Sequence, residues 1–514
     1  MRKLTALAFF FGLLLFSAAV FTVSSLFPDE MIEPKWYATG AAAVVGGTAL
    51  AALRIARPKA ARFAPLWTGF GAACVAVSAA QAAFFVLQEC GAVEAYGRFT
   101  AGSFDNVAGL ASCLGLSLPV GMEWLRGGDR LRRAAVAAGK GFCVAAILLS
   151  GSRTGLLFVA VWAVAELPCG RRAKAVAGAA VVAAGLVLAL AVKADSSRGR
   201  LFIAIRTAEI VAEKPIMGHG PGGFRARYMD AQADWLERHP DSPCATLADN
   251  VAHPLCEWLL VAADYGLAGV CAALALVALT VRHARRHPSA EGREGLRVLA
   301  CAGVFSLFSY PLLYPFTWIM LAAAVAAVFR SVLAAHSRTA AVAALAVLPL
   351  CGFALYRSGA TAMELRRVQD KAMLGLSERM MPRYARLYPR LKNDSRFLYN
   401  YAAEQYEAGR YEAALATVRE CRRMLADYNL CLLEGDVLEA LRRYAEAEAG
   451  YRRAHWMCPS RFAPLYALFN TSVERGDTAA ARRIGREILA KPVKVRSAET
   501  VEIIEDVRRR MAGQ

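Results

Sequence analysis

Four groups of residues carry side chains suited to handling a phosphate or activating a hydroxyl. Ser150-Gly151-Ser152-Arg153-Thr154-Gly155 forms a tight turn between two apolar runs. An arginine so close to an apolar run is costly unless it is paired, snorkels or has a function. Arg198-Gly199-Arg200 precedes an amphipathic segment, Leu201–Ala212, that carries Arg206. Paired guanidinium hydrogen bonds grip phosphate oxygens, although such a pair can also be plain flanking charge. The third group, Pro215 to Tyr228, reads PIMGHGPGGFRARY. Its glycines suit a turn that aims the next helix, and it is not a Walker loop because no GK[ST] follows. Arg225 and Arg227 are placed to help hold an anion, while His219 reads as a turn residue. The fourth group runs from Asp249 through His253-Pro254-Leu255-Cys256-Glu257 to Gly269. A neutral imidazole at His253 can take a proton from a hydroxyl; the bland alternative is a histidine bonded to a backbone carbonyl. Together these residue types suit a phosphate-bearing substrate attacked by a hydroxyl.

The elements that must position them are mostly apolar. Of 514 residues 57% are hydrophobic and only 20% charged, and uninterrupted apolar runs near 20 residues indicate transmembrane helices. Eleven spans are expected: 4–23, 36–54, 63–87, 107–124, 134–150, 155–167, 173–192, 255–281, 296–310, 316–333 and 340–356. Lys140 must snorkel. The net charge of +19 does not imply nucleic acid, because many basic residues sit in short loops between apolar runs. Arg54, Arg57, Lys59 and Arg62; Arg126, Arg130, Arg132 and Arg133; Arg171, Arg172 and Lys174; and Arg282, Arg285, Arg286 and Arg293 all fall on one side if the N-terminus is cytoplasmic. The opposite loops are short or acidic. The stretch from Lys193 to Ala252, which would lie outside, is expected to be functional, since long loops between membrane helices usually are. The 13 cysteines show no zinc spacing, so neither metal nor cofactor is expected.

From about Ser358 the composition changes to charged, alanine-rich and helical in period. GRYEAALATVRECRRM from Gly409 aligns with RRYAEAEAGYRRAHWM from Arg442, and GDTAAARRIGREILA from Gly476 continues the register. A period of about 34 is the signature of tetratricopeptide-like helical hairpins, which build binding surfaces. The expected architecture is all-α: transmembrane helices in 1–192, an external catalytic loop in 193–252, further transmembrane helices in 253–357, and a helical-repeat solenoid in 358–514.

Residues 1–356 resemble the O-antigen ligase and polymerase superfamily of bacterial membrane glycosyltransferases. The resemblance is carried by Gly199-Arg200-Leu201, by Lys214 to Phe224, by Tyr228 and Gln232, by His253 with Glu257-Trp258-Leu259, and by Gly266-Leu267-Ala268-Gly269. Gly102-Ser103-Phe104-Asp105-Asn106 adds an outer-loop motif. The resemblance implies an inner-membrane enzyme with a periplasmic active site, acting without metal on a polyprenyl-diphosphate-linked glycan. It maps two essential arginines to Arg153 and Arg200 and the histidine to His253. Arg225, Arg227, Tyr228, Gln232 and Glu257 are expected at the substrate. The sequence departs from the family where Pro254 and Leu255 follow the histidine and Cys256 stands where Asn often precedes Glu. The repeat tail lies outside the family pattern and is expected to bind a protein or the acceptor. The acceptor is a lipid A core sugar, a growing polymer, or a protein Ser/Thr. A transporter would need inverted repeats or broken helices carrying midplane charge, and a non-enzymatic scaffold would not need the arginine–histidine set.

Overall fold

The computed structural model describes residues 2–56, 63–96, 100–121, 129–167, 169–192 and 194–512. Arg57, Lys59, Arg62, Arg126, Lys193 and the end of the fourth expected span lie outside the described residues. The chain is all-α, with no strand among the described residues. It divides into two compact units. The first comprises Met1–Ala189, Leu255–Glu257 and Ala272–Arg366; the second comprises Leu190–Pro254, Trp258–Cys271 and Arg367–Gln514.

The first unit contains α1 (Arg2–Phe21), α2 (Glu33–Ala56), α3 (Phe63–Glu89), α4 (Val107–Ser117), α5 (Arg130–Leu149), α6 (Arg153–Glu166), most of α7 (Arg171–Val192) and, further along the chain, α11 (Ala290–Phe308), α12 (Pro315–Val328), α13 (Arg330–Ala335) and most of α14 (Ser337–Lys371). Among the described residues, four helices are long and apolar enough to cross a membrane: Glu33–Ala56, Phe63–Glu89, Glu257–Arg286 and the run Ser337–Leu391. Thr5–Phe21, Val107–Ser117, Arg153–Val164 and Pro315–Val328 are shorter apolar helices. Aromatic and aliphatic side chains, among them Phe16, Trp67, Phe85, Leu110, Phe158 and Phe305, form one core. Small residues set how closely its helices approach. A Cβ on Gly69 of α3 would lie 2.2 Å from the Thr5 carbonyl oxygen of α1, and one on Gly12 would lie 2.8 Å from the Ala73 methyl. Close backbone approach of this kind supplies the van der Waals contact that holds helices together in an apolar medium.

The second unit joins two stretches far apart in sequence. The loop contributes α8 (Ala194–Glu213), α9 (Gly223–Arg238) and the first turns of α10 (Glu257–Arg286). The C-terminal part contributes α15 (Ser377–Leu391), α16 (Ser395–Glu407), α17 (Tyr411–Arg422), α18 (Tyr428–Ala440), α19 (Tyr444–Met457), α20 (Ala463–Glu474), α21 (Thr478–Ala490) and α22 (Ala498–Ala512), each packed on the next. Asp394 and Asp427 cap the first helices of successive pairs, α16 and α18, and Asp477 caps a second helix, α21, all through side-chain oxygens that accept from backbone N–H groups. Each turn within a pair passes through the left-handed region, at Gly409, Arg442 and Gly476. Arginine holds the glycine position in the middle repeat, at φ 59°, so that turn carries steric strain the other two avoid.

Candidate functional site

In the loop, the glycine-rich turn and the later Gly266 motif form one joint. At Gly266 the φ/ψ pair is 62°/−162°, which interrupts α10. Breaking a helix frees carbonyls and N–H groups that must find other partners. Here the turn supplies them. His219 N–H donates to the Ala263 carbonyl at 3.0 Å, and Gly220 N–H to the Asp264 carbonyl at 2.8 Å. In return Leu267 N–H donates to the Pro215 carbonyl at 2.8 Å, and Ala268 N–H to that of Ile216 at 3.0 Å. The Asp264 carboxylate accepts from Gly222 N–H and Phe224 N–H, both at 3.0 Å, and so caps α9. Two glycines are required sterically. A Cβ on Gly218 would lie 2.5 Å from the Asp264 carbonyl, and one on Gly266 would lie 2.4 Å from the Ile216 carbonyl oxygen. His219 lies inside the joint, its Nε2 2.8 Å from the Ile210 carbonyl oxygen. Asp264 had no assigned role in the sequence reading; its signal, an acid four residues after Leu260 on an apolar helix, becomes legible only beside the glycine turn.

Several residues expected at the substrate make their contacts within the fold. Tyr228 and Gln232 are fully buried. The Tyr228 hydroxyl donates to Gln232 Oε1 at 3.0 Å. Gln232 Nε2 donates to the Met457 carbonyl at 2.6 Å and to that of Asp249 at 3.1 Å. With no surface to offer a ligand, the two residues tie α9 to the C-terminal helices. Burial pushes the Tyr228 phenol well above its ordinary value, so it remains a donor. Glu257 is also buried, and its Oε1 accepts from Leu312 N–H at 2.9 Å, bracing the Pro311–Leu313 turn. The side chains of Arg225 and Arg227 are exposed; Arg227 lies 3.5 Å from Glu213. The Arg225 carbonyl accepts from Ala426 N–H at 2.8 Å.

The loop is fastened to the C-terminal helices throughout. Ile210, Phe224, Tyr228, Met229 and Ala263 share one apolar core with Tyr428, Cys431, Ala454 and Met457. Around it, Arg453 Nε donates to Asp230 at 2.8 Å and its Nη1 to Asp234. Arg461 donates to Asp249 at 2.7 and 3.2 Å, and Asn250 to Asp427 at 2.7 Å. Burial acts to raise the Asp249 carboxyl, but the Arg461 and Asn250 hydrogen bonds outweigh it and hold the group below its ordinary value. That makes Asp249 a weak proton acceptor. Arg206 is buried too, its guanidinium 4.8 Å from the Trp235 ring and 2.8 Å from Glu209.

Arg153, Arg200 and His253 keep surface. Arg153 is half-buried and is the first residue of α6, where Ser152 Oγ accepts from Gly155 N–H at 3.2 Å. Arg200 is exposed and sits within α8, since that helix starts earlier than the sequence implied, at Ala194. His253 is half-buried in the bend before α10. Two residues later Leu255 adopts φ 58°, a conformation that costs a branched side chain about 1–3 kcal/mol and is found most often where function demands it. Arg153 belongs to the first unit, and Arg200 and His253 to the second.

The Gly102–Asn106 motif forms a polar cluster within the first unit. Asn106 caps α4 through Oδ1, and its Nδ2 donates toward the Tyr314 and Tyr310 hydroxyls at 2.8 and 3.0 Å. The Tyr314 hydroxyl donates to Asp105 Oδ1 at 2.7 Å. The two tyrosines escaped the sequence reading, although the Tyr-Pro-Leu-Leu-Tyr-Pro spacing places them on either side of one tight turn. Among the described residues no three His, Cys, Asp or Glu side chains gather as metal ligands. Compared with models of known protein families and with curated proteins, the chain matches none.

Proposed function

We propose that this chain is a membrane glycosyltransferase of the O-antigen ligase and polymerase type, moving a preassembled glycan from a polyprenyl diphosphate to an acceptor hydroxyl on the periplasmic side of a bacterial inner membrane. The observation that carries the reading is the position of Arg153. At the head of a helix a guanidinium stands beside backbone N–H groups and the positive end of the helix dipole, all of which favour an anion. Guanidinium and helix N-terminus together suit a phosphate oxygen.

In this mechanism the glycosidic bond to the diphosphate breaks as the acceptor oxygen bonds to the anomeric carbon. Charge gathers on the departing phosphate, where Arg153 and Arg200 stabilise it. His253 takes the proton that the acceptor hydroxyl releases. Direct displacement inverts the anomeric centre; the loop's Asp230 and Asp234 are both bonded to Arg453 and are not assigned nucleophile and acid roles. The spans number about eleven, the shorter apolar helices inserting with the long ones, and the C-terminal helices form a tetratricopeptide-like solenoid outside the membrane.

Purified protein is assayed for glycan transfer from the lipid donor in chelator-treated buffer. Arg153→Ala, Arg200→Ala and His253→Ala should each lower the rate by about 10²-fold or more while the protein still accumulates in the membrane. Full activity in His253→Ala would remove the proposed base, and loss of wild-type transfer that added metal restores would exclude the metal-free scheme. A deletion strain examined separately for glycan on lipopolysaccharide and on protein identifies the acceptor.

A further inference from the structure

The helix α15 (Ser377–Leu391) buries Met380, Met381, Tyr384 and Leu387 and turns four arginines to the outside. Arg379, Arg383, Arg386 and Arg390 are all exposed, and their spacing of four, three and four residues lines them up on one face. From first to last the ridge runs about 16 Å at 1.5 Å per residue. Neighbouring like charges on a helix repel, and among the described residues no acidic side chain pairs with any of the four. Elsewhere in the second unit arginines pair readily: Arg410 with Glu378, Arg422 and Arg453 with Asp230, Arg461 with Asp249. The one acid at the start of α15, Glu378, is thus engaged by Arg410, away from the ridge. Just ahead of the ridge the helix breaks at Gly375, φ 80°, and leaves Met373 and Leu374 69% and 78% exposed.

We infer that this ridge is a docking surface for an anionic phospholipid bilayer, with the arginines on lipid phosphates and Met373 and Leu374 entering the headgroup boundary. Two independent features point to a lipid surface rather than a soluble acid. Unpaired cations on one face supply charge complementarity to phosphate, and an adjoining exposed apolar pair gains only where it can leave water. The ridge also closes the same helical run, Ser337–Leu391, whose earlier part is apolar enough to cross a membrane. Such docking would tie the second unit to the membrane surface at a place other than its spans. It does not depend on the proposed transfer reaction.

The test places a photo-crosslinking phenylalanine analogue at position 374 of the full chain, in lipid discs with or without phosphatidylglycerol, and counts lipid adducts by mass spectrometry. Adducts are expected in discs containing phosphatidylglycerol, falling about tenfold or more in phosphatidylcholine discs, in 0.5 M salt, and in the fourfold variant Arg379→Gln, Arg383→Gln, Arg386→Gln, Arg390→Gln. The matching fourfold arginine-to-lysine variant should retain them. Equal adducts in phosphatidylcholine discs or in the glutamine variant would overturn the inference, as would no adduct in any disc. Loss of adducts on adding soluble inorganic polyphosphate at matched phosphate would show a site for free polyanions instead and overturn it equally.

Discussion

Gln232, expected at the substrate, is buried and hydrogen-bonded within the fold. Its amide serves two backbone carbonyls from different parts of the chain, and each would be left without a donor by Gln232→Leu. An unsatisfied buried carbonyl costs about 1–3 kcal/mol. The variant should therefore lower the unfolding temperature of the second unit, while transfer per folded molecule stays near wild type; a selective loss of rate at unchanged stability would return Gln232 to the substrate. Two titrating residues give the same unit a pH signature. Burial, with Lys491 nearby, lowers His455 from 6.5 to about 3. Its contribution is then complete above pH 6.5 and is lost as pH falls from there toward 3, because the unfolded chain takes the proton first. Asp436 runs the opposite way. Burial, opposed by the Tyr451 hydrogen bond and reinforced by Glu439, raises it from 3.8 to about 6, so stability is lost as pH rises between those values. Each slope is about 1.4 kcal/mol per pH unit. Between about pH 4 and 6 the two slopes oppose each other, so hydrogen-exchange protection of α18–α21 should be nearly flat there in the wild type and should fall with rising pH in His455→Gln. In Asp436→Asn it should gain protection above pH 6.

Among the elements, the joint between the glycine turn and the broken α10 is the most constrained. Ala at Gly218 or Gly266 meets backbone at 2.5 or 2.4 Å, and both residues have positive φ. Backbone cannot yield as a side chain can, so each substitution should cost well above the roughly 1 kcal/mol of a strained alanine. Gly220→Ala is the control, since its φ is 86° but nothing lies within 4 Å of the added methyl; it should cost only about 1 kcal/mol. If all three melt alike, the contact argument is wrong. The repeat turns allow the reverse experiment. Arg442→Gly gives the middle turn the residue its two counterparts already have, and should raise stability by about 1 kcal/mol.

At the scale of the whole molecule, the C-terminal helices are the other half of the loop's core. Helical repeats pack on one another, so removing the residues after about Ser358 should leave the membrane fold intact. The loop is a different matter, because its Phe224, Tyr228 and Met229 share a core with Ala454 and Met457. Truncation after residue 366 should expose that apolar surface and make 194–254 sensitive to limited proteolysis, even where the apolar helices still insert. A loop that stays protected would show that α8 and α9 stand alone. Arg453→Ala is a finer probe. It removes the guanidinium that Asp230 and Asp234 share, and the half-buried Asp230 should lose more by this than the exposed Asp234.

The sequence alone determined the helical class, the apolar runs, the change of composition near Ser358 and the 34-residue repeat. Each of these rests on short-range physics: hydropathy over a span, a 3.6-residue period, Asp before a helix and glycine in a left-handed turn. It also marked the glycines of the 215–228 turn as suited to positive φ and Gly266 as part of the family resemblance. The tertiary structure decided what those glycines are for, and which polar residues are spent on packing. Gln232 and Met457 are 225 residues apart, and Arg453 and Asp230 are 223 apart. Nothing in the local pattern of either partner encodes such a pairing, because buried hydrogen bonds and ion pairs are selected by the surroundings that folding creates. For the same reason Tyr228, conspicuous beside two arginines in the sequence, lies in a core, while Arg153 and His253 are only half-buried.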